Sequence, residues 1–411
     1  MAIRKKVDLS ECQIRGIRTR AEVFAVADLY GKAFRSYEWH FNRYVDFLLK
    51  RLPRELWRLS RVVWAPDGTP IAQIRVCDRT MRLGAAKVRV GGIGDVSTHP
   101  FYRRQGVMRH LFAHVLQFMK DEGYDISMLW GIPNFYDKFG YIVGLRTPSL
   151  EISRSQVEGL DAPLAGRKAR RGDIPAILRL HEFHSRTRDG AMDRLGDLWA
   201  RRAVREGTCR IIEDRAYYLW RAEDRALTII EVGLGPRCDA ATLASLLRDA
   251  AGVARAHEKP TVKLELPPEH PLGRFCVADG CDVHDHIPHR GGGMVRIVNL
   301  ESLCEKLVPE WERLLRSSAL ASWRGRLRLR TDIGSLDLKV VKGTVRPQRP
   351  EGRADATLSA SQDKLCRLVV GFHPVEAAAM LGEVRGDKTG LALASVIFPV
   401  RSITVFPWDH F

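Results

Sequence analysis

The sequence has no run of the eighteen or so apolar residues that a membrane-spanning helix needs, so no spanning segment and no membrane partner are expected. The start, MAIRKKVDLS, is basic with no apolar segment behind it, which argues against a signal peptide. Cysteines are sparse, eight in 411 residues and mostly isolated. That spacing excludes a disulfide framework and reads as reduced, partly buried thiols, so the cytoplasm is the expected compartment. Acidic residues are also short, 49 against 66 Lys and Arg, for a formal charge of +17. No basic run of five or six accompanies this excess and no aromatic-interleaved basic tract. The positive charge therefore reads as solvated surface, and no specific nucleic-acid partner is expected.

What is present is a normal apolar fraction in a chain too long for one ordinary core, so two or three domains are expected. The first part has α/β patterning. Ala21 to Phe34 reads as a helix, and RVVWAPDGTPIAQIRVC as a hairpin turning at Asp67-Gly68. A strand runs through Val88 to Val96. Met108, Leu111, Phe112, Val115 and Met119 then recur at helical spacing up to Gly123, and DISMLWG and NFYDKFGY follow.

The middle third repeats this order. Asp173 can cap a helix carrying Ile174, Ile177 and Leu178; AYYLW and RALTIIEVG form a hairpin; a helix with Leu243, Leu246, Leu247 and Ala250 precedes TVKLELP. An internal duplication is the simplest account. The copies differ at one place: the first has RRQGVM where the second has LGPRCDAA. Gly291, Gly292 and Gly293 read as a linker, beyond which RLRLR and SLDLKVV alternate like half-buried strands and DKLCRLVVGF and PVEAAAML read as helices. The expected division is thus 1–150, 151–290 and 291–411.

The stretch CVADGCDVHDHIPH offers Cys276, Cys281, His284, His286 and His289 as possible ligands, but CxxxxC is loose for zinc and no second paired cluster completes a finger. It reads instead as a histidine-rich strand and loop, and no metal is expected.

The loop HPFYRRQGVMRHLF points to anion chemistry. A helix N-terminus leaves backbone N–H groups unpaired at a partly positive end. Gly106 admits an anion close to the backbone, and Arg103 and Arg104 add charge. A phosphate, most plausibly a pyrophosphate, suits such a site.

In order, spacing and residue type, VSTHPFYRRQGVMRHLF, DISMLWG and NFYDKFGY resemble the GNAT acetyltransferases. Their phosphate loop reads Arg/Gln-x-x-Gly-x-Gly/Ala; Arg103 and Gly106 match, while Met108 replaces the final small residue. That departure resembles the Eis (enhanced intracellular survival) type, whose loop reads Arg-Arg-x-Gly followed by two aliphatics. The three-part order and the phenylalanine-ending tail ITVFPWDHF are similar to that type as well.

The resemblance implies a mixed α/β, α+β chain of two tandem GNAT-like domains, the second degenerate, followed by a sterol-carrier-protein-like α+β domain. It implies acetyl transfer from acetyl-CoA to a primary amine and a homo-oligomer, commonly a hexamer. The implied coenzyme contacts are Val96, Ser97 and Thr98 on the strand, the loop residues Arg103, Arg104, Gln105, Gly106, Val107, Met108 and Arg109, and Gly131 and Ile132 after the next strand. Tyr136 would protonate the leaving thiolate, with Tyr141 second in line and better placed for packing. The terminal carboxylate of Phe411 would act as base. Its ordinary pKa of about 3.5 leaves it ionised. Glu38 is a candidate wall residue for a cationic acceptor, whose identity the sequence leaves open among aminoglycosides, peptide lysines and small amines. The alternative function is a lipid-binding protein using only the third domain.

Overall fold

A computed structural model describes residues 7–194 and 196–411; the start of the basic opening segment, Met1–Lys6, and Leu195 lie outside the described residues. The chain opens with β1 (Gln13–Arg15), α1 (Arg20–Ala33) and α2 (Tyr37–Asp46). The start of α1 is fixed by a capping box. Thr19 Oγ1 accepts from the Glu22 N–H at 3.2 Å, and the Glu22 carboxylate accepts in return from the Thr19 N–H at 3.3 Å.

Next come β2 (Ser60–Trp64), β3 (Pro70–Leu83) and β4 (Ala86–Thr98), an antiparallel set whose first turn holds Gly68 at φ 81°. The helix α3 (Val107–Asp121) then buries Val107, Leu111, Phe112, Val115 and Met119 on the sheet, each contributing roughly 1.5–3 kcal/mol. It leads into β5 (Ile126–Gly131), parallel to β4, and β6 (Ile142–Val143).

The following strand, β7 (Thr147–Ser153), leaves this sheet and joins the next one. That second sheet is built from β8 (Gly166–Lys168), β9 (Cys209–Ile212), β10 (Ala216–Ala222), β11 (Ala226–Leu234), β12 (Thr261–Leu264) and β13 (Asp282–His286). Its helices include α4 (Ile174–Ser185), α5 (Leu198–Glu206) and α6 (Ala240–Ala256), the last joining the parallel strands β11 and β12. The chain then returns through β14 (Gly292–Ile297) to the first sheet.

The two orders are β1-β2-β3-β4-β5-β14-β6 and, read from the other end, β8-β9-β10-β11-β12-β7-β13. They are the same order with one strand traded each way. The glycine triplet is therefore not a linker. Gly292 and Gly293 pair with Gly131 and Trp130, and a Cβ at Gly293 would come within 2.7 Å of the Leu145 side chain. Glycine stands here because the neighbouring chain is too close for anything larger.

The remainder carries α7 (Leu300–Arg316) and a third, five-stranded mixed sheet in the order β17-β16-β15-β18-β19. Its strands are β15 (Arg324–Thr331), β16 (Gly334–Val341), β17 (Thr344–Gln348), β18 (Ala356–Ala360) and β19 (Val384–Gly386). Helices α8 (Gln362–Val369) and α9 (Val375–Met380) stand where the apolar pattern places them, α10 (Lys388–Ile397) lies beyond that pattern, and the buried residues of all three share one continuous core with the first sheet. Glu310 of α7, fully buried, ties three regions together: it accepts from the Ala85 N–H between β3 and β4 and from Arg401 of the tail, each at 2.8 Å.

Candidate active site

Parallel pairing of β4 with β5 runs only from Val90↔Ile126 to Gly92↔Met128, although β4 continues to Thr98 and β5 to Gly131. Past Gly92 the two strands part. The divergence is reinforced by a bulge in β4, where Asp95 adopts φ 51° and the register opposite β3 slips between Gln73 and Arg75. The wedge opens into a cleft of about 2450 Å³. Ordinary ligand sites measure about 300–1,000 Å³, so this one can hold two molecules side by side.

At one mouth of the cleft lies the arginine-glycine loop. Arg104 (φ 62°) and Gly106 (φ 80°) are both left-handed. For Arg104, a non-glycine residue, that conformation costs of order 1 kcal/mol. A Cβ at Gly106 would meet no atom within 4 Å, so open space faces the backbone there. No side chain caps α3. The corresponding helix of the second sheet, α6, is closed: Asp239 accepts from the Thr242 N–H at 2.8 Å, so the protein's own carboxylate occupies that anion position. Of the loop arginines, Arg103 is turned to backbone, donating to Ala33 O at 2.9 Å and Thr98 O at 3.3 Å, while Arg104 and Arg109 line the cleft.

Val96, Ser97, Thr98, Arg103, Arg104 and Gly106 line the cleft, as do Val107, Met108, Arg109 and Ile132. Gln105 and Gly131 do not. Gln105 faces the N-terminal segment, accepting from the Val7 N–H at 3.3 Å, and Gly131 is packed beneath Tyr136 and paired with β14. Glu38 is exposed and stands outside the cleft wall; the residues α2 contributes instead include Trp39, His40 and Arg43.

Tyr136 begins the 3-10 turn Tyr136–Phe139 after β5 and is held edge-on by Phe112 and Phe135 at 5.9 and 4.9 Å between ring centroids. Burial pushes its phenol above the usual tyrosine range, so it is protonated at neutral pH. Its hydroxyl makes no hydrogen bond among the described residues. Tyr141, in contrast, is committed to the core: its hydroxyl lies 2.7 Å from Ser127 Oγ, and burial raises its pKa further.

Phe411 enters the same cleft from the opposite end of the chain. Its ring lies over Gly92, where any Cβ would overlap it, and its carboxyl carbon lies beside Gly94. A Cβ at Gly94 would sit 3.2 Å from that carbon and 3.3 Å from Arg75 Nη2. The two glycines are what let the terminus lie against β4. Arg75 is held by Asp95 and donates to Cys77 Sγ at 2.7 Å, which leaves Nη2 on the side of the terminus. Within the tail, Trp130 stacks on His410 at 3.7 Å and Asp409 is anchored by Arg194, itself bound to Glu231 of β11. Arg194, Glu231, Gly92 and Gly94 escaped the sequence reading. Three glycines, Gly91, Gly92 and Gly94, inside the strand stretch VGGIGD were the one available signal of a close approach.

Strand β13, carrying His284 and His286, is an exposed edge strand beside β7, and no group of three or more His, Cys, Asp or Glu among the described residues is arranged to hold a metal ion. No helix among them is long and apolar enough to cross a membrane.

Residues 14–144 match the family model described as an acetyltransferase (GNAT) domain. No curated protein matches the chain. Among solved structures it is similar to a GCN5-related N-acetyltransferase from Kribbella flavida, with a TM-score of 0.71 and 19% identity over 97% of this chain and 100% of that one. A probable N-acyltransferase from Enterococcus faecalis V583 gives 0.73 and 15% identity, covering 95% of this chain and 97% of that one. Eis1 from Mycobacterium abscessus gives 0.64 and 15% identity, covering 96% of this chain and 100% of that one. These likenesses show that the chain shares the fold of those structures over nearly its whole length, and its first part matches a GNAT domain.

Proposed function

We propose that the protein is an acetyl-CoA-dependent N-acetyltransferase of Eis type, with a coenzyme site in the first unit only. The observation that carries this is the contrast between two equivalent helix starts: α3 is uncapped, flanked by Arg104 and Arg109 and open at Gly106, whereas α6 is filled by Asp239. The open one fits a pyrophosphate. The wedge between β4 and β5 fits the pantetheine arm, because unpaired strand groups from Ile93 to Thr98 want partners.

The acceptor amine must arrive unprotonated. In this reading the Phe411 carboxylate takes the ammonium proton. The amine lone pair then attacks the thioester carbonyl, whose developing oxyanion is met by backbone N–H groups at the β4 bulge. The C–N bond forms and the C–S bond breaks. Tyr136 gives its hydroxyl proton to the departing sulfur; the attacking nitrogen, cationic once the C–N bond forms, gives up its second proton through solvent to restore the phenol, and the proton held by the Phe411 carboxyl is released to solvent. Phe411 and Tyr136 reach one cleft from opposite ends of the chain, so the tail is part of the site and the third unit cannot act as a detachable lipid carrier. We further assign the third unit to the sterol-carrier-like class on its strand and helix pattern. The eight free thiols, five of them buried, suit a reducing compartment such as the cytoplasm. Homo-oligomerisation is what the Eis-type resemblance of the sequence implies, and sedimentation measures it directly.

The deciding experiment is calorimetric titration of acetyl-CoA into the protein and into an Arg104→Ala, Gly106→Val double variant, with circular dichroism monitoring the fold. Binding should be lost in the variant. Undiminished binding would overturn the assignment.

A further inference from the structure

The cleft wall is positively charged beyond what the coenzyme loop accounts for. Each acidic side chain lining it already has its own cation. Asp46 is paired with Lys50 and Arg51, and Asp78 with Arg89. Asp95 is paired with Arg75, Asp197 with Arg201, and Asp409 with Arg194. None is left to receive an ammonium group without breaking an existing pair.

The cations are in surplus. Setting aside Arg103, Arg104, Arg109 and Lys138, which lie on the loop and the Tyr136 turn, four further arginines line the cleft with no carboxylate partner among the described residues: Arg43, Arg79, Arg171 and Arg205. Arg43 stacks over Trp39 at 4.8 Å and Arg79 reaches only the Asp78 carbonyl, at 2.9 Å. These four come from separate places, α2, β3, the turn before α4, and α5, so both of the first two units present positive charge to the same space. Glu38, the one acidic residue that could have favoured a cation, faces away.

We infer that the acceptor is an amine that itself carries an anionic group, a carboxylate or a phosphate, recognised by these four arginines. This rests on the transferase reading above. A polycationic acceptor would meet a wall of like charge, and like-charge juxtaposition suppresses wrong partners as effectively as complementarity selects right ones. The amine's own positive charge is met at the terminal carboxylate of Phe411, and its anionic end by the arginines. The site thus separates the two ends of the acceptor by sign.

The test uses the full chain at saturating acetyl-CoA, following free thiol with matched acceptors: glucosamine against glucosamine 6-phosphate, lysine amide against lysine, and spermidine as polycation. The anionic member of a pair should show kcat/KM higher by about tenfold or more, an advantage that shrinks as salt rises from 0.05 to 0.5 M. Which pair responds distinguishes phosphate from carboxylate. An Arg171→Glu, Arg205→Glu double variant should lose most of that advantage while keeping its acetyl-CoA affinity. Equal turnover of both members, preference for spermidine, or an advantage untouched by the double variant would each overturn the inference and leave the transferase reading standing. Absence of acetyl-CoA binding in calorimetry would instead overturn the transferase reading, and this inference with it.

Discussion

Replacing Asp409 with Asn asks whether one buried ion pair holds the terminus in the cleft. Asp409 is 1% exposed and receives two hydrogen bonds from Arg194, at 2.6 and 2.9 Å. Arg194 in turn makes two bonds to the fully buried Glu231, at 2.9 and 2.7 Å, and Glu231 also accepts from the Tyr217 hydroxyl at 2.6 Å. Burial works to raise the Glu231 carboxyl, but Arg194 and His181 outweigh it and hold it well below the usual carboxylate range. The guanidinium is thus shared between an internal carboxylate and the tail. Removing one partner of a buried pair costs about 3–5 kcal/mol. Here Glu231 still neutralises Arg194, which puts the loss at the lower end, about 3 kcal/mol. At 1.4 kcal/mol per factor of ten, the docked tail loses about a hundredfold against the released one. Because the pair lies at the chain's end, the effect should fall on docking and not on the global fold. Turnover at saturating acetyl-CoA should drop about 10- to 100-fold, carboxypeptidase should remove Phe411 faster, and acetyl-CoA affinity should hold. Turnover within twofold of the parent, with an equally protected terminus, would show that the pair does not secure the tail.

Tyr136→Phe should keep acetyl-CoA affinity and lose about a hundred- to ten-thousand-fold in turnover; a loss below about tenfold would make the residue packing alone. Gly92→Ala places a methyl where the Phe411 ring lies, so steady-state kinetics should show reduced turnover with unchanged coenzyme binding, and normal turnover would refute the docked position. His270 is 6% exposed and burial, helped by Arg188, pushes its pKa down to about 3 from an ordinary 6.5. The unfolded chain therefore binds the proton first. Stability is complete above about pH 6.5 and falls by up to about 1.4 kcal/mol per pH unit as the pH drops toward 3. His270→Asn, which can keep the cap on Leu272, should flatten the denaturation profile in that window, and an unchanged slope would exclude His270 as its source.

The hairpins, the long helices and the arginine-glycine loop at the helix start were legible because each has a local cause: turn glycines, apolar periodicity, and an arginine pair before a glycine. The place of Tyr136 in the cleft was legible for the same reason, as part of a contiguous motif. What escaped depends on chain returning from far away. Gly291–Gly293 reads locally as a flexible joint, and only the presence of β5 and Leu145 beside it makes it a strand. Gly92 and Gly94 gain meaning from a phenylalanine more than three hundred residues later. Arg194 and Glu231 are unremarkable charges until Asp409 arrives between them. Glu38 has the right sign and lies close in sequence to the first helix, but it is exposed and lies outside the cleft.

The traded strands have a consequence for how the protein is made. The site between β4 and β5 is bounded on its far side by β14, so the first sheet stays open-edged until that strand emerges. At 5–20 residues per second the ~160 residues between β5 and β14 take about 8–30 s to synthesise. Throughout that interval β5 has an unpaired edge, the kind of surface on which nascent chains associate wrongly. The second sheet holds β7 from the outset, so it can close first and hand back β14 already tethered nearby. The second sheet can therefore be complete before the cleft between β4 and β5 is bounded by β14.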